Sequence, residues 1–158
     1  MLIRMASLND IDTLVKVRFD YFAAENLEVS TEQHRIIENN LRQYYSKYLN
    51  TDFYAAFVEI DNEIVSVAFL AVSNKPANLS FPTGKTGTIF NVLTYPEYRN
   101  RGYATSIMKL LLDEAKKQDL SYVDLSSSES GKSLYQKLGF KESKPSAHFT
   151  NMKLSLLT

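Results

Sequence analysis

The chain has 158 residues, with 18 basic and 18 acidic side chains and a formal net charge of zero. That length predicts one globular domain over residues 1–158, able to bury roughly 70% of its unfolded surface in a core that needs no staples. Cysteine is absent and the only histidines are His34 and His148, which excludes disulfides, thiolate metal sites, a cysteine nucleophile and a His-rich metal centre; no metal is expected.

Taken in chain order, Leu2–Met5 begins as a short strand. Asn9 and Asp10 are good N-cap residues for a helix over about 10–24, whose Ile11, Leu14, Val15, Phe19 and Phe22 keep helical spacing. A second helix begins at Ser30 or Thr31 and runs to about Leu49. The β-formers of Phe53–Ile60 predict a strand, Asp61-Asn62 a two-residue hairpin turn, and Glu63–Val72 the returning strand. Asn74–Gly87 contains Pro76, Pro82 and Gly84 and reads as a loop. Thr88–Tyr95 is a third long strand, ended by Pro96, which cannot donate to a ladder. Gly102–Gln118 is the clearest helix, with Ala104, Ile107, Met108, Leu111, Leu112 and Ala115 in one stripe. Tyr122–Ser126 is an apolar β run. A short helix over about 129–138 ends at Gly139, and Phe149–Leu156 alternates loosely as a closing strand. This order predicts an α/β (α+β) domain.

No apolar run approaches the about 20 residues of a membrane span, and the first ten residues lack the apolar region of a signal peptide. The expected location is cytoplasmic, with no membrane or nucleic-acid partner. Charge is balanced overall but segregated. Residues 1–63 hold 11 acids and 6 bases, the remainder 7 acids and 12 bases. Between Asp20 and Glu38, five acids face only Arg35. Solvated helix faces explain this, and so does a site for a cationic ligand.

Chemistry concentrates in Val92-Leu-Thr-Tyr-Pro-Glu-Tyr-Arg-Asn-Arg-Gly-Tyr-Ala104. A strand ends, a turn carries Arg99 and Arg101, and a helix starts at Gly102. The first N–H groups of a helix have no partner inside it, and the macrodipole favours an anion in front of them. Gly102 lets a phosphate approach the backbone closely, and the arginines add charge. An ordinary β-α connection with surface arginines has the same composition. Thr83-Gly-Lys-Thr86 looks like the end of a P-loop, but the earlier glycine is missing and a strand follows. Tyr44, Tyr45 and Tyr48 at helical spacing are expected in a core or a dimer contact.

Arg99, Gly102 and Ala104, as Arg-x-x-Gly-x-Ala, resemble the pyrophosphate loop of the GNAT superfamily of acyl-CoA-dependent N-acetyltransferases. Tyr95-Pro-Glu-Tyr-Arg99 looks like that family's strand-to-loop junction. Gly131-Lys-Ser-Leu-Tyr-Gln-Lys-Leu-Gly-Phe140 is similar to its Leu-Tyr-x-x-x-Gly-Phe signature, and Ile3–Asp10 to its first strand and helix start. The resemblance spans nearly the whole chain in the expected order.

It implies a mixed, mostly antiparallel sheet flanked by helices and splayed between strands 4 and 5, with acetyl-CoA as cosubstrate. Backbone groups of Val92, Leu93 and Thr94 would face the pantetheine arm. The amides of Arg99, Asn100, Arg101, Gly102, Tyr103, Ala104 and Thr105 would hold the diphosphate, and Ser128 would lie beside the cofactor. Tyr135 would protonate the departing thiolate. The acceptor would be the primary amine of a small molecule or peptide, attacking the thioester directly, and the acidic stretch makes a cationic amine one expectation. The chain departs from many relatives in having no carboxylate on Thr88–Tyr95, only Asn91; water relayed from a backbone carbonyl, Glu59, or an N-terminal glutamate such as Glu25 are the alternative bases. A CoA-binding sensor of the same fold, an O-acceptor and a different acyl donor stay open. A homodimer is compatible by family analogy.

Overall fold

The computed structural model describes residues 1–157, in two compact units, Met1–Ser126 and the segment from Ser127 on. In the first unit the elements run β1 (Leu2–Met5), α1 (Ile11–Ala24), α2 (Thr31–Tyr48), β2 (Phe53–Ile60), β3 (Glu63–Asn74), β4 (Lys85–Thr94), α3 (Tyr103–Lys117) and β5 (Val123–Asp124). The second unit contains α4 (Lys132–Lys137). The sheet order is β1-β2-β3-β4-β5, antiparallel except for the parallel β4–β5 pair. No helix among the described residues is long and apolar enough to cross a membrane.

Alternation along the central strands supplies two apolar faces, as a sheet covered on both sides requires. Phe53, Ala55 and Phe57 of β2 join Val67 and Phe69 of β3 and Leu93 of β4 in one cluster with Leu14, Val15 and Val17 of α1 and Tyr45 of α2. Tyr54, Ala56, Val58, Ala68, Leu70 and Ile89 alternate with them and are also buried. α3 packs on β2, β3 and β4 and buries Ile107, Met108, Leu111 and Ala115, the stripe expected from its spacing. Asp61 and Asn62 both adopt positive φ, 51° and 65°. That is the type I′ geometry a two-residue hairpin needs, and Asp and Asn tolerate it better than most residues.

Several expectations need correcting. Residues 149–156 form no strand; Phe149, Met152, Leu154 and Leu156 are each at least 79% exposed. Alternation makes a strand only where a neighbour takes the ladder bonds and a layer covers the apolar face. β4 starts at Lys85 rather than Thr88. Gly87 lies inside it because a Cβ there would meet side-chain carbons of Leu70 and Leu120 at 2.8 Å, so close packing, not a turn, requires the glycine. The first helical region is capped by Ser7, not by Asn9 or Asp10: the Ser7 hydroxyl accepts the Asn9 N–H, and the Asp10 carboxylate accepts the Ser7 N–H at 2.7 Å. β5 and α4 are both shorter than expected. Gly84-Lys85-Thr86 runs into β4 with no helix after it, so the P-loop likeness ends in a strand.

Candidate active site

The site grows out of irregularities in β4. Val67 lies opposite Leu93 but Phe69 lies opposite Phe90, so β4 carries one more residue than β3 across this interval. The extra residue makes a β-bulge at Asn91, whose φ is 53°. A bulge bends its strand and re-aims side chains. On its other edge β4 pairs with β5 only at Gly87 and Thr88. From Ile89 to Thr94 no described strand takes up that edge, which is the expected splay between strands 4 and 5. Val92, Leu93 and Thr94 therefore lie along an edge that an extended ligand can follow with backbone hydrogen bonds. The Thr94 carbonyl accepts the Arg99 Nε–H at 3.0 Å, and its hydroxyl bonds Ser66 Oγ at 2.8 Å.

β4 leads through a short 3-10 turn at Pro96–Tyr98 to α3. Asn100 and Gly102 hold positive φ, 61° and 79°. Gly102 is the N-cap of α3 and offers no side chain to cap it. Ser106 is the first residue whose amide bonds back, to the Gly102 carbonyl at 3.1 Å. The amides of Asn100, Arg101, Gly102, Tyr103, Ala104 and Thr105 have no acceptor among the described residues. A Cβ built on Gly102 would meet nothing within 4 Å, so the space in front of these amides is open. Unsatisfied donors, the positive end of a 15-residue helix and open space together make an anion cradle. The arginines serve it less directly than expected. Arg99 turns to the Thr94 carbonyl, and Arg101 donates to the Glu97 carbonyl at 2.9 Å with its guanidinium 5.5 Å from the Tyr98 ring centre.

One carboxylate reaches the end of β4. Asp20 of α1 accepts the Tyr95 hydroxyl and pairs with Lys16 at 2.5 Å. Both contacts use Oδ2, leaving Oδ1 without a partner among the described residues. Burial first, then the bond to Asp20, pushes the Tyr95 phenol well above its ordinary range, so it stays a donor. Sequence reasoning found no carboxylate here because none lies on the strand; Asp20 and Tyr95 are 75 residues apart. Glu59 does not reach this site. It lies on β2 toward the opposite edge of the sheet and holds Arg4 at 2.9 Å, which also binds Asp10. In the acidic stretch, Glu32 pairs with Arg35 and Glu38 with Arg42, so much of its charge is neutralised locally.

In the second unit, Gly131 precedes α4, and Tyr135 is half-buried with its ring 6.1 Å from that of Phe140, edge to face. The Ser128 hydroxyl accepts the Gly131 N–H at 3.2 Å, and a Cβ on Gly131 would meet the Tyr135 ring at 3.2 Å and Ser128 Oγ at 3.3 Å. Ser128 and Tyr135 are thus held around one tight turn. Among the described residues no group of three His, Asp or Glu side chains could hold a metal.

Residues 17–140 match the family model described as Acetyltransferase (GNAT) family. A predicted acetyltransferase from Clostridium acetobutylicum, solved with acetyl-CoA, is 27% identical, with a TM-score of 0.81 over 96% of this chain and 95% of that one. Glucosamine-6-phosphate N-acetyltransferase from Arabidopsis thaliana shares the fold at 17% identity, with a TM-score of 0.66 over 98% and 97% of the two chains. Ribosomal-protein-alanine N-acetyltransferase from Brucella melitensis biovar Abortus 2308 does so at 15% identity, with a TM-score of 0.63 over 99% and 100%. No curated protein matches the chain in sequence.

Proposed function

The chain belongs to the GNAT acetyltransferase family, and from that premise we propose that residues 1–158 act as one catalytic domain transferring acetyl from acetyl-CoA to a primary amine of a small molecule or peptide. The observation that carries this is the continuous path from the open edge of β4, past the bulge at Asn91, to the free amides of Asn100–Thr105. The cradle fits a diphosphate because it offers donors and open space where a larger residue at 102 would intrude. Bound there, acetyl-CoA supplies an acetyl group activated as a thioester, which the acceptor nitrogen takes as the carbon–sulfur bond breaks.

The residues then have separate tasks. The amides of residues 100–105 hold the diphosphate, while Val92–Thr94 align the pantetheine arm and Ser128 shapes the turn that carries Tyr135. An ammonium cannot attack, so a proton must leave the acceptor first or during attack. Asp20 is the carboxylate we assign to that proton, because its Oδ1 is open and Tyr95 fixes it at the end of β4. A cationic amine is attracted to the same carboxylate. The Tyr135 hydroxyl gives a proton to sulfur, where the electron pair of the broken bond collects. No cysteine is present to relay the acetyl group, and the route we assign, as the family likeness implies, is direct passage to nitrogen.

The test is release of CoA thiol, read with a thiol-reactive dye, from acetyl-CoA and a panel of amines; the chain has no thiol of its own to react. Amine-dependent release that falls on the order of 100-fold in kcat in Tyr135→Phe, with unfolding unchanged, is the expected result. An unaltered kcat in that variant removes Tyr135 from the chemistry. Binding of acetyl-CoA without release to any amine moves the protein to a CoA-binding sensor. No binding at all overturns the cradle.

A further inference from the structure

Arg18 sits beside the bulge of β4 in a setting no other arginine of the chain shares. It projects from α1, and its Nη1 donates to the side-chain oxygen of Asn91 at 3.2 Å. Asn91, 1% exposed, in turn faces the Val17 carbonyl. The guanidinium lies 4.7 Å from the Phe22 ring centre and 5.2 Å from that of Phe90. Among the described residues no carboxylate pairs with it. The charges that bear on it come only from the phenols of Tyr45 and Tyr21, and burial raises the pKa of both, so they are neutral near pH 7. Burial among these rings also disfavours the cation, holding the Arg18 pKa below its ordinary value. The side chain is therefore a partly desolvated positive charge with no ion-pair partner among the described residues.

Its two edges differ. The Nη1 end is anchored on Asn91. The Nε and Nη2 groups, which form the side-on fork of a guanidinium, have no hydrogen-bond partner among the described residues. Neither is sealed off, since no buried side-chain nitrogen or oxygen among the described residues lacks a partner. In this same chain Arg35 and Arg42 use that fork to grip a carboxylate: Arg35 binds Glu32 at 3.1 and 2.7 Å, and Arg42 binds Glu38 at 3.2 and 3.0 Å. A bidentate carboxylate is what the fork geometry matches best. One uncompensated positive charge balances one carboxylate. A phosphate dianion would need a second cation, and the nearby Lys16 is already paired with Asp20.

We propose that the Nε/Nη2 fork of Arg18 binds a carboxylate of the acceptor, so that the substrate is an amino-carboxylate carrying both the amine to be acetylated and an acid group. This rests on the acetyl-transfer reading above. Asn91, which holds Arg18, is the residue before Val92, so the fork lies at the start of the β4 edge assigned to the pantetheine arm. Asp20 lies two residues on in α1 and contacts Tyr95 just beyond that edge. In this proposal Arg18 takes the acid group and Asp20 the amine, so that opposite charges meet opposite ends of the acceptor.

The experiment compares free amino acids with their own carboxamides and decarboxylated amines as acceptors, in native protein and in Arg18→Met and Arg18→Lys. The native protein is expected to favour the free acid by about 10- to 100-fold in kcat/KM, the worth of hydrogen bonds to a charged group. Arg18→Met should bring that ratio close to one, and Arg18→Lys should restore only part of it, because an ammonium has charge without the fork. A native ratio near one, or an equal loss on acid and amide in both variants, overturns the proposal. A second readout needs no turnover: the Arg18 Nε–H resonance followed by NMR during titration with the same amino acids, without acetyl-CoA. A saturable shift given by acids and not by amides supports the carboxylate site even where no amine is acetylated, which would be a failure of the acetyl-transfer reading alone. No saturable shift and no preference for acids removes the site.

Discussion

Residues 1–126 and residues 127–157 hold their conformations by different means. The first region has aromatic rings packed through its centre, with Phe53 and Phe69 5.1 Å apart and both fully buried. In the second, no described residue is buried; Ala115 is the last buried position among the described residues. Its order comes from local devices: the Ser128 hydroxyl on the Gly131 amide, the Tyr135–Phe140 ring contact, Gly139 at φ 98°, and the Lys132–Glu142 ion pair. A core sets stability, whereas a tight turn sets the direction of a side chain. The protein therefore divides into a part where substitution costs stability and a part where, at Tyr135, it should cost rate alone.

The largest test of that division is Phe69→Ala. Phe69 is 0% exposed and touches the rings of Tyr45, Phe53 and Phe90. Truncating a buried phenylalanine costs about 3–5 kcal/mol, measured here as a loss in urea-unfolding free energy. A loss below about 1 kcal/mol would mean that the ring cluster does not hold the first region together.

The same contrast explains what was legible in the sequence. α3 was legible because its apolar stripe has one period and one partner surface. The β2–β3 hairpin was legible because Asp61-Asn62 is a turn by its own chemistry. The alternation of 149–156 resembled a strand equally well, but a strand depends on a neighbour that the residues themselves do not name. β4 was read three residues short because Gly84 and Gly87 look alike in sequence, while only Gly84 has a positive φ, 74°. In the candidate site, the loop at 99–105 was legible because all of it is local, although the Arg99 amide, expected among the free donors, is taken by the Pro96 carbonyl at 3.4 Å. Arg18 and Asp20 were not, because each meets β4 across more than 70 residues. Asp20 showed only as one of the five acids between residues 20 and 38, and Arg18 as an ordinary charge on a helix.

A middle-sized effect belongs to the first region but not to its apolar centre. Arg4 bridges Asp10 at 2.8 Å and Glu59 at 2.9 Å, tying β1 to the start of α1 and to β2. The Arg4 guanidinium, more than the Ser7 amide, holds the Asp10 carboxyl below the usual carboxylate range against an opposing effect of burial. A carboxyl whose pKa is lower folded than unfolded stabilises fully above its unfolded value of about 3.9 and loses that contribution as pH falls through the folded value. Asp10→Asn should therefore cost about 1–2 kcal/mol at pH 7 and flatten the fall in stability below about pH 4. An acid limb as steep as the native one would assign that limb to other carboxylates.

The smallest expected effect is the sharpest check on the second region. Leu154 is 83% exposed, with Met152 and Leu156 beside it at 92% and 86%. Exposed apolar side chains bury nothing, so Leu154→Ser should shift the unfolding free energy by no more than about 0.5 kcal/mol and leave thiol release unaltered. A loss of 2 kcal/mol would mean that Leu154 is covered in solution, because only burial gives a leucine that much to lose. If that loss shrank on dilution, the cover would be a second copy of the chain, since only an intermolecular contact depends on concentration.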